Sequence, residues 1–197
     1  MNPAILEWSA VGFSILGVWL MAQRRMLAWP VGLISVGLYA RVFVEAKLYS
    51  DSLLQIAFAT FLLYGWFNWR RQAKSDGRIS IAPLPPGQRA RDLGIGVLFG
   101  VALGAVMHHH TDAVLPWLDA MLAALSLVAQ WWQARRHTAA WWLWIVVDVV
   151  YVGMYAFKSL HATAGLYLMF IGLAAMGLRA WKKEQNRGQS QIPTTSG

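Results

Sequence analysis

Cysteine is absent from the 197 residues, so this chain has no disulfide framework and no thiol chemistry. Charge is scarce. Asp, Glu, Lys and Arg make up 13%, about half the roughly 25% of a soluble domain. Acidic residues are scarcer still, 9 against 17 Lys and Arg. No GxxxxGK[ST] loop occurs, which excludes an ATP-driven motor within the chain. No Ser/His/Asp or Cys/His set with nucleophile context appears, so the chain does not read as an enzyme. His108-His109-His110 are consecutive and expected on a short outer loop, a poor preformed metal site, so neither metal nor cofactor is expected. The net charge of +8 does not mark a nucleic-acid binder, because the excess falls in loops on one side of a membrane.

What is present is apolar: 57% of residues are hydrophobic, in long runs separated by clusters of charge. Many of the 12 Trp lie near the ends of those runs, as an interfacial belt requires. The pattern predicts an all-α membrane protein of seven transmembrane helices, at 4–22, 28–45, 51–70, 92–107, 113–134, 140–157 and 162–181. Each is near the roughly 20 residues that cross a hydrocarbon core. Met1-Asn2-Pro3 lacks the basic region of a cleaved signal peptide, so the first run is expected to stay as a helix.

Lys and Arg sort by loop. One side holds Arg24, Arg25, Arg70, Arg71, Lys74, Arg78, Arg89, Arg91, Arg135, Arg136, Arg179, Lys182, Lys183 and Arg187. The other holds Arg41, Lys47 and Lys158. The positive side stays in the cytoplasm, so the N-terminus is expected outside and the C-terminus inside a bacterial inner membrane.

Residues 14–71 reappear without a gap as residues 126–183, at a constant offset of 112. Ser14 maps to Ser126, Trp19 to Trp131, Arg24 to Arg136, Trp29 to Trp141, Tyr39 to Tyr151, Leu48 to Leu160, Gly65 to Gly177 and Trp69 to Trp181. Each copy holds three apolar stretches. The expected organisation is a first three-helix repeat at 1–71, a cytoplasmic linker at 72–91, a linker helix at 92–107 and a second repeat at 113–183. A disordered cytoplasmic tail at 184–197 follows. An odd helix between the copies makes them parallel repeats, as in SWEET transporters, with the site where the repeats meet. Gly96, Gly100 and Gly104 form two overlapping GxxxG motifs, which suit close helix packing.

Residues shared by the copies suit the scaffold. Those found in one copy suit asymmetric contacts with a ligand. Trp144, Asp148, Tyr151 and Tyr155 share one face of the sixth helix, where the second helix has Gly32, Val36, Tyr39 and Phe43. Asp148 lies mid-membrane among valines, where a carboxylate costs several kcal/mol without a partner and marks function by default. A structural carboxyl bonded to a neighbouring helix is the competing reading. Gln55, matched by Tyr167, and Gln130, matched by Val18, serve equally as ligand contacts or as bonds between helices. Ser126 reads rather as such a bond, and Glu7 and Asp119 as rim groups. Aromatic faces with one acid and a few amides suit a cationic heteroaromatic ring bearing hydroxyls, and suit a phosphate poorly.

The run Trp141-Trp142-Leu143-Trp144-Ile145-Val146-Val147-Asp148 resembles the W-x-x-W-I-x-x-D signature of the PnuC family of bacterial vitamin transporters. So do Trp29-Pro30-Val31-Gly32, Leu48-Tyr49-Ser50-Asp51 with Gln55, and Tyr64-Gly65-Trp66-Phe67-Asn68-Trp69. The resemblance spans residues 10–183. It implies a SWEET-like fold and facilitated diffusion of nicotinamide riboside across the inner membrane. It implies substrate-binding roles for Gln55, Gln130, Trp141, Trp144, Asp148 and Tyr151. Some members carry Asn in place of Asp148, and relatives carry thiamine or riboflavin. The expectation is a nicotinamide riboside transporter, with a thiamine transporter as the alternative. A membrane receptor that binds without moving its ligand is the reading from another class. The expected partners are a small-molecule vitamin and the lipid bilayer, with no nucleic acid, and a homo-oligomer is compatible with the sequence.

Overall fold

Seven helices account for almost all of the chain in a computed structural model that describes residues 3–45, 49–76, 79–111 and 114–190. Lys47, Leu48 and Arg78, named above, lie outside the described residues, as do the side chains of Tyr49, Ser50, Asp51, Ser52 and Lys74. The helices are α1 (Pro3–Ala22), α2 (Ala28–Glu45), α3 (Tyr49–Asp76), α4 (Pro86–His110), α5 (Pro116–Ala134), α6 (Ala139–Phe157) and α7 (His161–Ser190). Among the described residues the only β pairing is an isolated bridge between Ala82 and His137. Five of the helices, α1, α2, α4, α6 and α7, are long and apolar enough to cross a membrane. The other two, α3 and α5, carry Gln55, Asn68, Gln130 and Gln133, and these polar groups dilute their hydropathy. Large apolar side chains face outward, among them Leu98 at 72% and Phe157 at 73% exposure, as a lipid surface requires.

Three helices run further than the sequence predicts. α3 continues to Asp76 and α4 starts at Pro86, and the described part of the linker between them is residues 79–85. Pro86 opens α4 because a proline in the first turn gives up no hydrogen bond. His108, His109 and His110 form the last turn of α4 rather than a loop. α7 continues to Ser190, so residues 184–190 of the expected disordered tail are helical. Charged and polar ends of this kind carry no apolar signal, and the sequence pattern stops where the apolar run stops.

Helix packing closes a ring: α1 on α2, α2 on α3, α3 on α5, α5 on α6, α6 on α7, and α7 back on α1. α4 stands outside it against α5. Gly96, Gly100 and Gly104 make that seam, where an added Cβ would lie 2.6 Å from Val128, 3.0 Å from Met121 and 2.6 Å from Trp117. Asp92 anchors its end, accepting a bond from Trp132 Nε1 at 3.0 Å and pairing with Arg91 at 3.0 Å.

Contacts recur at positions 112 residues apart. α1 and α5 both end in an arginine with positive φ, Arg24 at 58° and Arg136 at 65°. Each is the left-handed residue of a Schellman turn. Arg25 N–H bonds Leu20 O and His137 N–H bonds Trp132 O, both at 2.9 Å. Trp29 meets Trp69 edge-on at 5.1 Å, and Trp141 meets Trp181 edge-on at 5.5 Å. Trp69 and Trp181 join the pairs at 5.8 Å. All four indoles are buried and form the main core of the ring. They need glycine opposite. A Cβ on Gly65 would lie 2.1 Å from the Trp29 ring, and one on Gly177 2.6 Å from Trp141.

The short linker straps the same end of the ring. Ile81 is buried in the tryptophan core and Leu84 against Trp132 and Ala140. Ala82 N–H bonds Arg136 O at 3.2 Å, and Ala82 O lies 3.2 Å from His137 Nδ1. Arg24 reaches Ile79 O and pairs with Glu184 at 3.1 Å, while Thr138 donates to Gln185 at 2.7 Å. At the opposite end Lys158 pairs with Asp119 at 3.3 Å, which makes Asp119 a rim group in an ion pair.

Candidate functional site

The ring encloses a cavity of about 370 Å³, within the range of small-molecule sites. Its lining comes from all six ring helices and none of it from α4. Gln55, Gln130, Trp141, Trp144, Asp148 and Tyr151 all border it, so one space brings together every candidate residue read from the sequence.

α6 supplies four of the six because 3.6 residues per turn set Trp141, Trp144, Asp148 and Tyr151 on the inward side of one helix. Asp148 is 4% exposed, and no ion pair reaches it among the described residues. Tyr151 packs against two neighbouring rings. Its ring lies 4.6 Å from Tyr167 and 5.8 Å from Tyr155, and Tyr155 lies 5.3 Å from Tyr167. Phe170 meets Tyr167 edge-on at 5.8 Å. These rings form one wall.

Gln130 is buried on α5, and its Nε2 has no hydrogen-bond partner among the described residues. An amide used to tie helices together would have one, so this donor is available to a ligand. Gln55 borders the same cavity from α3. Trp141 differs from the rest. Only 1% exposed, it is wedged against Gly177 and Trp181 and belongs to the floor as much as to the cavity. Trp144 is half-buried, and its Nε1–H donates to Gln133 Oε1 at 2.8 Å.

Reasoning from sequence left Tyr155, Tyr167, Phe170 and Gln133 out of the site. Tyr155 shares a helix face with Asp148 and Tyr151, Tyr167 is the mismatched partner of Gln55, and Gln133 stands where the first copy has Met21. Phe170 matches Phe58, and both border the cavity. The cavity therefore also uses residues common to the two copies, which a search for differences passes over.

Among the described residues the lining contains no Lys, Arg or His. It can stack a flat ring, offset one positive charge and bond a few hydroxyls. An all-helical membrane protein that encloses such a space between its two halves has the architecture of a small-molecule transporter. The chain belongs to the nicotinamide mononucleotide transporter family, whose sequence model matches residues 4–183. It is similar to the nicotinamide riboside transporter PnuC of Escherichia coli, 26% identical over 89% of this chain and 85% of that protein. It is also similar to the riboflavin/roseoflavin transporter RibM of Streptomyces davaonensis, 28% identical over 94% of this chain and 89% of that one. Among solved structures, the crystal structure of the vitamin B3 transporter PnuC matches with a TM-score of 0.75 at 27% identity, covering 94% of this chain and 84% of that chain. The protein is thus a multi-pass membrane transporter of the PnuC vitamin-carrying type, and not an enzyme.

Proposed function

We propose that this protein carries nicotinamide riboside across a bacterial inner membrane, by facilitated diffusion through alternating access of its two three-helix halves. The observation that carries the reading is the buried carboxyl of Asp148 beside aromatic faces, with no ion-pair partner and no basic residue in the cavity lining among the described residues. An unpaired carboxylate inside a membrane costs about 3 kcal/mol, and a cationic ligand offsets that cost. In the proposed pose the pyridinium ring stacks on Trp144 with Asp148 near its charge. Gln130 and Gln55 bond the ribose hydroxyls, and Tyr151 and Trp141 close the pocket.

A mononucleotide, although it names the family, would bring a phosphate with no cation to meet it. Riboflavin, the cargo named for RibM, presents a neutral ring system and leaves Asp148 unpaired. Thiamine is the alternative of the same family, because its ring is also a cationic heteroaromatic. With the positive loops inside, the N-terminus lies outside and the C-terminus in the cytoplasm.

Calorimetry on the purified protein separates these cases. Nicotinamide riboside is expected to bind, with nicotinamide mononucleotide at least tenfold weaker. A preference for thiamine would move the cargo and keep the site. Equal binding of the mononucleotide would overturn the electrostatic argument. Uptake in proteoliposomes then separates a carrier from a receptor.

A further inference from the structure

Trp144 is held differently from Trp29, Trp69 and Trp141, and like Trp132 and Trp181 it uses its indole N–H. Trp29, Trp69 and Trp141 keep buried indole N–H groups without partners among the described residues, and steric packing alone fixes them. Trp144 is half-buried at the edge of the cavity, packed against the tryptophan core on its other side. Its single polar atom instead donates to Gln133 Oε1, on the neighbouring helix α5, at 2.8 Å. Gln133 is itself 5% exposed, so the acceptor is fixed by its surroundings.

Both ends of this bond exist in one half of the molecule only. Positions 112 residues earlier hold Met21 for Gln133 and Gly32 for Trp144. Space is exchanged in step with them. A Cβ on Gly32 would meet Leu62 at 3.2 Å, while Leu62 is replaced by Ala174 in the second half, in the core cluster against which Trp144 packs. Small Gly32 faces large Leu62, and at the matching positions of the second half large Trp144 and small Ala174 both border the cavity. The second half has therefore gained an indole, the room for it and the acceptor that aims it.

We infer that Gln133 is a positioning residue for substrate recognition: it locks the Trp144 indole as the stacking platform for the substrate's aromatic ring, and acts on the substrate through that ring. A ring presented in one orientation loses less freedom on binding than one that must be caught among several. The inference rests on the proposal that a flat-ringed vitamin occupies this cavity.

The test is a double-mutant cycle with nicotinamide riboside as the probe, read by calorimetry. Gln133→Met installs the other half's own residue, which has similar length and no acceptor. Trp144→Phe keeps a stacking ring and removes the donor. Gln133→Met is expected to weaken binding about five- to tenfold in the natural background, the range of one lost hydrogen bond. In the Trp144→Phe background it should cost less than twofold. Gln133→Glu, which keeps an acceptor, should restore most of the affinity. The same loss in both backgrounds overturns the proposal, since Gln133 would then touch the substrate itself. No loss in either also overturns it.

A second readout needs no ligand. In protein labelled with ¹⁵N-tryptophan, the Trp144 indole N–H signal is identified by its disappearance in Trp144→Phe. Gln133→Met should shift that signal and speed its hydrogen exchange. An unmoved signal overturns the inference even in protein that binds none of the vitamins. If the natural protein binds no nicotinamide riboside while the signal does respond, the proposed cargo fails and the positioning role stands.

Discussion

Between Val147 and Val149 a helix designed only to sit in lipid would carry another valine, as the first half does at Val36. Asp148 is there instead, buried and without an ion-pair partner among the described residues, and Trp144 lies one turn below it. Asp148→Ala and Trp144→Ala are each expected to reduce riboside uptake in proteoliposomes to background, with the elution profile of the folded protein unchanged. Uptake at the natural rate in either variant would sink the site assignment. The glycines opposite the tryptophans belong to the same scale. A methyl on Gly65 or Gly177 must displace an indole, so Gly65→Ala and Gly177→Ala should each cost about 1–3 kcal/mol, read as a lower unfolding temperature in detergent. Single residues were the most legible part of the sequence. An acid among valines, or a mismatch between matched copies, stands out without coordinates. What stayed hidden was Trp141 as floor rather than free wall, because only packing shows that Gly177 and Trp181 clamp it.

At the scale of elements, the helices were legible wherever apolar runs marked them and lost at their polar ends. α3, α4 and α7 all extend past their apolar runs. The strap at residues 79–85 was invisible for a related reason. Its two buried anchors, Ile81 and Leu84, are too few for a periodic signal, and the prolines around them read as linker. The strap touches the turns that follow both α1 and α5, so it ties together halves that must separate if access alternates. His137 is its sensitive point. Burial pushes the His137 pKa below the ordinary 6.5, with Arg135 and Arg136 adding to the effect, Asp92 opposing it, and the bond to Ala82 O opposing it. The ring donates from Nδ1 to that carbonyl, and its buried Nε2 has no partner among the described residues. Protonation would place a second N–H there unmet. The docked state therefore binds the proton less readily than the released one. Docking should hold fully above pH about 6.5 and weaken as pH falls below it. Protection factors of the backbone amides in residues 79–85, corrected for the intrinsic pH dependence of exchange, should fall between pH 7.5 and 5.5 in the natural protein and show no such fall in His137→Gln.

The whole molecule is a ring of six helices with one helix outside it, and orientation is a property of the whole. A chain without cysteine makes a clean reporter of it. In intact cells a membrane-impermeant maleimide should label Thr111→Cys and leave Arg71→Cys unlabelled until the membrane is opened. The reverse pattern would invert the proposed topology. The 112-residue offset marks a repeat in the sequence, but the order of packing was not readable from it. Nothing in the sequence says that α3 lies on α5 and α1 on α7, since those seams are made by side chains from distant parts of the chain.

The seam between α1 and α7 also sets an order in time. The first helix ends at Ala22 and its partner begins only at His161. At about 5–20 residues per second, the ribosome needs roughly 7–30 s to make the chain between them. Until then the inner faces of the finished helices, Asp148 and Gln130 included, border a gap rather than a cavity. The newborn protein must wait in the bilayer as an open arc, and its polar lining is sealed from lipid only when the last helix arrives.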